Sequence, residues 1–184
     1  ELFVDAFDNP ALNAQNDQAT LTLPADAGRV VMATDGHVIS PLFFPGGDIG
    51  ALSVHGTVND VVMSGAKALY LSAGFILEEG FSLADLKRIV DSMAAAAREA
   101  GVSIVTGDTK VVERGSADGV FINTAGIGVL PQGLSLSAEK IRPGDKILVN
   151  GSMGDHGVAV MSQRENLSFE TAILSDSQSL DQLV

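Results

Sequence analysis

Cysteine is absent from the 184 residues, which excludes a disulfide framework and any zinc–thiolate site. Basic residues are scarce: 11 Lys and Arg stand against 23 Asp and Glu, a formal net charge of −12, with an isoelectric point near 4.4. A nucleic-acid binder normally shows a basic face, so that class is set aside. No apolar run approaches the roughly 18 residues that a bilayer-spanning helix needs. The opening residues, Glu1-Leu-Phe-Val-Asp5, lack the basic n-region of a signal peptide. The expectation is a cytoplasmic protein that binds neither membrane nor nucleic acid.

Apolar material is ample. Hydrophobic residues make up 46% and the mean hydropathy is +0.27, which argues against disorder. The length predicts one domain or slightly more, at roughly 150 residues per domain. Glu1 stands in place of an initiator Met, and the end, Leu180-Asp-Gln-Leu-Val184, shows no closing element. A piece of a longer protein is therefore expected. Glycine accounts for 20 residues, above the usual share of about 7%, mostly in short clusters. That pattern predicts tight turns whose backbone is open to a ligand.

Alternation and β-branched residues predict strands at Leu21–Leu23 and Val30–Thr34, separated by a turn from Pro24 to Gly28. Asp35-Gly36 then follows the second strand, and a Pro- and Gly-rich loop leads to a helix capped by Asp48 and ending near Ser64-Gly65. A strand over Ala68–Leu77 precedes the clearest element, a helix from Ser82 to Ala100. There Ser82 and Asp85 have capping-box spacing, Leu83, Leu86, Ile89, Val90, Met93 and Ala97 recur at helical spacing, and Gly101 ends the run. A strand over Val102–Thr106 is closed by Gly107-Asp-Thr-Lys110, and another spans Phe121–Val129. A boundary is expected between residues 131 and 144, then a strand at Lys146–Val149 and a helix from Asp155. Strands and helices interleave, as in a mixed α/β fold.

Four aspartates share one context, a strand or helix end beside small residues: Asp17, Asp35, Asp60 and Asp108. Asp60 lies in an otherwise apolar stretch, where a carboxylate requires a partner such as a cation. Separate carboxylates suit magnesium, which keeps waters and shares phosphate oxygens; each taken singly also suits a helix cap or an Asx turn. Gly107-Asp-Thr-Lys110 offers a carboxylate, a hydroxyl and an ammonium together, and Lys110 suits phosphate neutralisation or proton removal. Gly151-Ser152-Met-Gly154-Asp155-His156-Gly157 joins a strand to a helix, where free N–H groups favour phosphate. This is neither a Walker loop nor Gly-x-Gly-x-x-Gly, and no Gly-x-Ser-x-Gly elbow is present. Phe43–Gly50 reads as a second flexible loop at a helix start, one that closes over a nucleotide or is simply a turn. His55 reads as a satisfied interior histidine, and His156 as a site candidate.

Several longer strings occur in order: Asp35, Ser40-Pro-Leu-Phe-Phe-Pro-Gly-Gly-Asp-Ile-Gly50, Gly56-Thr-Val-Asn-Asp-Val-Val-Met-Ser-Gly-Ala66, Gly74-Phe-Ile-Leu-Glu-Glu-Gly80, Ile104-Val-Thr-Gly-Asp-Thr-Lys-Val-Val112 and Gly154-Asp-His-Gly157. Together they resemble the HypE family of hydrogenase maturation proteins over nearly the whole chain. That family sits in an ATP-binding superfamily with aminoimidazole ribonucleotide synthetase, selenophosphate synthetase and thiamine monophosphate kinase. The resemblance implies a ferredoxin-like α+β domain over residues 1–133, with a mixed sheet, helices on one face and a dimeric barrel, followed by the start of a second α+β domain over residues 134–184. It implies ATP and Mg²⁺ as cofactors, and ATP-dependent dehydration of an S-carboxamide on a C-terminal cysteine to a thiocyanate for the cyanide ligands of NiFe-hydrogenase. The implied partners are a second copy of the chain, the carbamoyltransferase HypF and the HypC–HypD scaffold.

Residue by residue, the resemblance makes Asp17, Asp35, Asp60 and Asp108 the metal–phosphate carboxylates. It makes Asn59, Thr109, Gly151, Ser152, Gly154, Asp155 and His156 nucleotide or phosphate contacts. Lys110, with Asp108, becomes the catalytic pair, while Gly47 and Asp48 line the nucleotide pocket. The family's terminal cysteine and its leading glycine-rich segment are not among these residues, so the chain alone is expected to be inactive. Two alternatives use the same features: a small-molecule kinase or synthetase of the superfamily, or a dimerisation and docking module without catalysis.

Overall fold

The computed structural model describes residues 1–16, 18–25, 28–167 and 169–184. Its frame is a four-stranded sheet of β1 (Arg29–His37), β4 (Lys67–Glu78), β5 (Ser103–Val112) and β6 (Val120–Leu130), in the spatial order β1-β6-β4-β5. β6 runs antiparallel to both of its neighbours, whereas β4 and β5 are parallel. The parallel pair is joined by α4 (Leu83–Glu99), the crossover that such a pair requires. Helix α3 (Ile49–Val62) links β1 to β4, and a hairpin of β2 (Phe43–Phe44) and β3 (Gly47–Asp48) leads into it. Two short helices, α1 (Leu2–Phe7) and α2 (Pro10–Asn13), precede the sheet, and α5 (Asp155–Arg164) follows it. None of the described helices is long and apolar enough to cross a membrane.

α3 and α4 lie against one face of the sheet and make the core. α4 contributes Leu86, Ile89, Val90, Met93, Ala96 and Ala97, and α3 contributes Ile49, Val54, Val58, Val61 and Val62. Each aliphatic side chain so buried stabilises the fold by about 1.5–3 kcal/mol relative to exposure. Both helix starts are fixed by the residues the sequence indicates: Asp48 accepts from the Gly50 and Ala51 amides, and Ser82 from the Asp85 amide. Beyond the end of α3, Gly65 takes a left-handed φ of 83°, and Gly101, next after Ala100, does the same after α4. The opposite sheet face carries Val30, Met32, Phe121, Ile127 and Ile76, and neither α3 nor α4 covers it; Met32 is 68% exposed.

The mixed α+β architecture is as expected, but several local readings are corrected. Leu21–Leu23 forms no strand; the Tyr70 hydroxyl donates to the Thr22 carbonyl, and no backbone ladder forms there. Asp35-Gly36 lies inside β1, and Gly107–Lys110 lies inside β5, because pairing with β6 and β4 continues past the apolar residues. Phe43–Gly50 forms the β2–β3 hairpin entering α3, in line with the turn alternative; Pro45-Gly46 makes the turn, with Gly46 at φ 86°. Lys146–Val149 is not a strand: no described strand pairs with it, and Ile147 and Leu148 are each 92% exposed.

Helices α3 and α4 meet where Gly50 packs against the Ile89 carbonyl, a site with no room for a side chain. Gly50→Ala should therefore destabilise the protein by about 1–3 kcal/mol through overpacking. Gly157→Ala, in α5 with open space around it, should be neutral or stabilising by about 0.5–1 kcal/mol. Urea denaturation of the two variants side by side checks this. A Gly50→Ala protein as stable as its parent would mean the helices do not approach so closely.

Candidate functional site

Pleating decides which β1 side chains face α3. Asp35 and His37 point towards the helix, while Thr34 and Gly36 point to the open face. His37 is buried in a polar pocket made by both elements. Its Nε2 lies 3.4 Å from Thr124 Oγ1 and 3.7 Å from Asp35 Oδ2. The Thr124 hydroxyl donates to the Ser53 carbonyl at 3.0 Å and meets Thr57 Oγ1 at 2.6 Å. α3 comes this near because residue 56 is glycine: a Cβ there would stand 3.0 Å from His37 Cε1 and 3.2 Å from Asp35 Oδ2. Burial holds the His37 imidazole below its ordinary value, against the opposing pull of Asp35 and then Asp60.

Asp60 therefore belongs to the same corner as Asp35, but not in the apolar setting read from its neighbours. The helix turns Val58, Val61 and Val62 inward and leaves Asp60 exposed. An exposed carboxylate needs no buried partner.

Asp108 and Lys110 lie elsewhere. β5 is the far edge of the sheet from β1, three strand spacings of about 4.8 Å away, or roughly 14 Å. In register Asp108 sits beside Gly74 and Lys110 beside Ile76, which is on the open face. Asp108 Oδ2 meets Lys110 Nζ at 2.6 Å, and Asp108 Oδ1 accepts from the Thr109 amide at 2.8 Å. The Lys110 bond, then the Thr109 amide, holds the Asp108 carboxyl below the usual carboxylate range.

The remaining candidates gather around α5. Gly151, Ser152 and Gly154 are exposed in the loop before it, and Gly154 is the N-cap at φ 94°. The first amides of this helix already have an acceptor, the carboxylate of Asp176, which takes the Gly154 N–H at 3.0 Å and the His156 N–H at 2.8 Å. These bonds, led by the His156 amide, depress the Asp176 carboxyl. The His156 ring stands edge-on to Phe44, with centroids 5.1 Å apart, and its Nδ1 lies 3.0 Å from Ser175 Oγ. The Gly47–Asp48 strand is thus near this loop, but the Asp48 carboxylate caps α3. The Asn59 carboxamide donates to the Gln178 carbonyl and accepts from the Leu180 amide.

The candidates therefore form three groups: Asp35 with Asp60, Asp108 with Thr109 and Lys110, and the α5 loop beside the hairpin. Asp17 lies outside the described residues. Among the described residues no three His, Asp or Glu side chains gather as metal ligands. Two participants escape sequence reasoning. Asp176 sits in a serine-rich stretch without a motif, and His37 shows no ligand spacing to another histidine. His55 is also not the satisfied interior residue expected: Nδ1 meets Ser177 Oγ at 3.2 Å, while Nε2 is buried without a partner.

The profile of the AIR synthase related protein family, N-terminal domain, matches residues 15–130. A carbamoyl dehydratase HypE of Cupriavidus necator is 68% identical over 184 residues, covering 100% of this chain and 52% of its own length. A crystal structure of the hydrogenase maturation protein HypE in complex with ATP matches with a TM-score of 0.94 at 56% identity, over 100% of this chain and 54% of that one. A HypE–HypF complex matches with a TM-score of 0.82 at 56% identity, over 99% of this chain and 58% of its counterpart. The chain spans about half the length of the curated relatives it matches. The resemblance read from the motifs is borne out.

Burial lowers the imidazole of His55 as well as that of His37; Glu99 and Asp48 oppose it at His55. Below the ordinary value of about 6.5 the unfolded chain then binds more protons than the folded one. This part of the stability is complete above that pH and is lost as the pH falls towards the folded values. Melting temperatures recorded from about pH 7.5 down to about pH 5.5 should fall, and His55→Asn should flatten the slope. An unchanged slope would show that His55 is not held neutral by its surroundings.

Proposed function

The chain belongs to the AIR synthase related family, and from its half-length match to HypE carbamoyl dehydratases we propose that it is the ATP-binding and dimerising half of such an enzyme. In this reading residues 1–133 form the first domain and residues 134–184 begin the second. The whole protein dehydrates an S-carboxamide on a C-terminal cysteine to a thiocyanate, which supplies cyanide to the iron of a NiFe-hydrogenase. The amide oxygen leaves in inorganic phosphate, ATP becomes ADP, and the nitrogen loses both protons. HypF supplies the carbamoyl group, the HypC–HypD complex receives the product, and the setting is the cytoplasm. The observation that carries the reading is 68% identity over all 184 residues of the chain.

The residues fit magnesium. Asp35 and Asp60 offer hard oxygen donors at one corner, and magnesium needs only one or two carboxylates when water and phosphate complete its shell. Asp17 is a further candidate. Bound Mg²⁺ would neutralise charge on the phosphate oxygens and favour phosphoryl transfer. Lys110, with its ammonium fixed on Asp108, offers positive charge to the transferring phosphoryl group. The alternative role for Lys110 is removal of the nitrogen proton as phosphate departs. Thr109 contacts the remaining phosphate oxygens, and so does the Gly151–His156 loop once Asp176 gives up the Gly154 and His156 amides that it holds in the free protein.

Asp108 and Lys110 lie across the sheet from Asp35 and Asp60. In our reading a second copy covers the open apolar face and each site draws on both protomers. Support comes from Val30 and Met32, which alternate along β1 on that face and are both exposed, since exposed apolar surface of this kind marks an interaction site.

Two experiments test the proposal. Intact-mass analysis of the full-length protein, carbamoylated by HypF and then given Mg-ATP, should show loss of one water. Its absence, with ATP consumed only when a small acceptor is added, would favour a kinase. In the second, an Asp35→Asn, Asp60→Asn double variant and an Asp108→Asn variant should each lose roughly 100-fold or more in kcat. Mixed under subunit exchange they should regain about a quarter of normal activity, because half of the dimers carry one intact site. No recovery would place all three aspartates in a site within one protomer.

A further inference from the structure

Residues 174–180 run as a strap across three elements. The Ser175 amide donates to the Pro45 carbonyl at 2.8 Å, in a place open only because residue 46 is glycine. A Cβ there would stand 2.7 Å from Ser175 N and 3.0 Å from Leu174 Cβ. Asp176 holds the first amides of α5. Ser177 meets His55, and one helical turn further along α3 the Asn59 carboxamide makes two bonds to the strap: Nδ2 to the Gln178 carbonyl at 3.0 Å and Oδ1 from the Leu180 amide at 2.8 Å.

The second pair has the form of a strand pairing. A side-chain amide presents one donor and one acceptor, and here they match the C=O of one residue and the N–H of the residue two places on. Only Asn among side chains of this length satisfies both; Asp lacks the donor, and Leu lacks both groups. The backbone groups at positions 178 and 180 would otherwise need other partners.

We propose that Asn59 is a positioning residue: its carboxamide clamps the strap to α3 and so fixes the α5 loop relative to Asp60, its neighbour in sequence. It does not contact nucleotide. The significance of that spacing rests on the reading of the site given above, because Asp60 holds the magnesium–phosphate charge and the α5 loop the phosphate oxygens. The clamp itself is independent of that reading. Its two ends are hydrogen bonds within the free protein.

The test uses the full-length protein and two readouts. Amide hydrogen exchange without nucleotide should show the strap, and the Gly154 and His156 amides, exchanging roughly tenfold faster in Asn59→Ala while the sheet is unchanged. ATP affinity should stay within about threefold, and kcat for dehydration should fall by about tenfold. Asn59→Asp, which keeps the acceptor for Leu180, should give intermediate exchange. Unchanged strap exchange with ATP binding weakened by about tenfold or more would overturn the proposal and make Asn59 a nucleotide ligand. Faster strap exchange with unaltered kcat would overturn it too, because the loop would then need no positioning. A wild-type protein without dehydratase activity would instead defeat the proposed function, and the exchange result would still decide the clamp.

Discussion

The arrangement at Asp35 and Asp60 depends on how closely α3 lies against β1 and β6. Glycines make that approach possible: Gly56 on the helix, and Gly126 and Gly128 on β6, each face atoms that a Cβ would press against. Gly126 meets the Thr57 methyl, and Gly128 meets Val61 and the Lys67 carbonyl. With the surfaces this near, Thr57 and Thr124 satisfy each other in the dry interior, which removes the cost of burying two hydroxyls. The same contact excludes water from His37 and brings a strand carboxylate and a helix carboxylate to one corner. Larger residues in these rows would lift the helix and part the two aspartates, even with every acidic residue kept.

Sheet order imposes the opposite result on Asp108. A β-sheet separates residues by strand spacing along its width and by pleat across its thickness, and Asp108 differs from Asp35 in both. Loop motion cannot repair this, because both residues lie within paired stretches of β1 and β5. One protomer thus presents a carboxylate pair on its helix-covered side and a Lys–Asp pair on its open side.

The segment after β6 is tied to the rest of the chain by polar bonds as well as by apolar burial. Ala159 and Val160 of α5 are buried, yet the strap is held by Asn59, His55 and the Pro45 carbonyl. Directional bonds of this kind contribute modestly to stability, about 0.5–1.5 kcal/mol each, but they fix relative placement well. Asp176 adds to it: a carboxylate at a helix N-terminus is favoured by the unsatisfied amides and the dipole together.

How far the sequence discloses all this differs from element to element, for physical reasons. α4 is legible because one face meets solvent and the other the core, so its apolar residues recur at helical spacing. The Asp48 and Ser82 caps are legible because they act within three residues. Leu21–Leu23 and Lys146–Val149 mislead because a strand exists only through its neighbour, and nothing local states whether one is present. Asp60 misleads for a related reason. Val58, Val61 and Val62 surround it in sequence, but a helix rotates about 100° per residue, so it projects away from all three. Asp176 and Asn59 are the hardest to read, since each acts on backbone groups roughly 20 or 120 positions away in sequence. A backbone amide leaves no mark in the amino-acid code, so contacts of this type become visible only once the chain is folded.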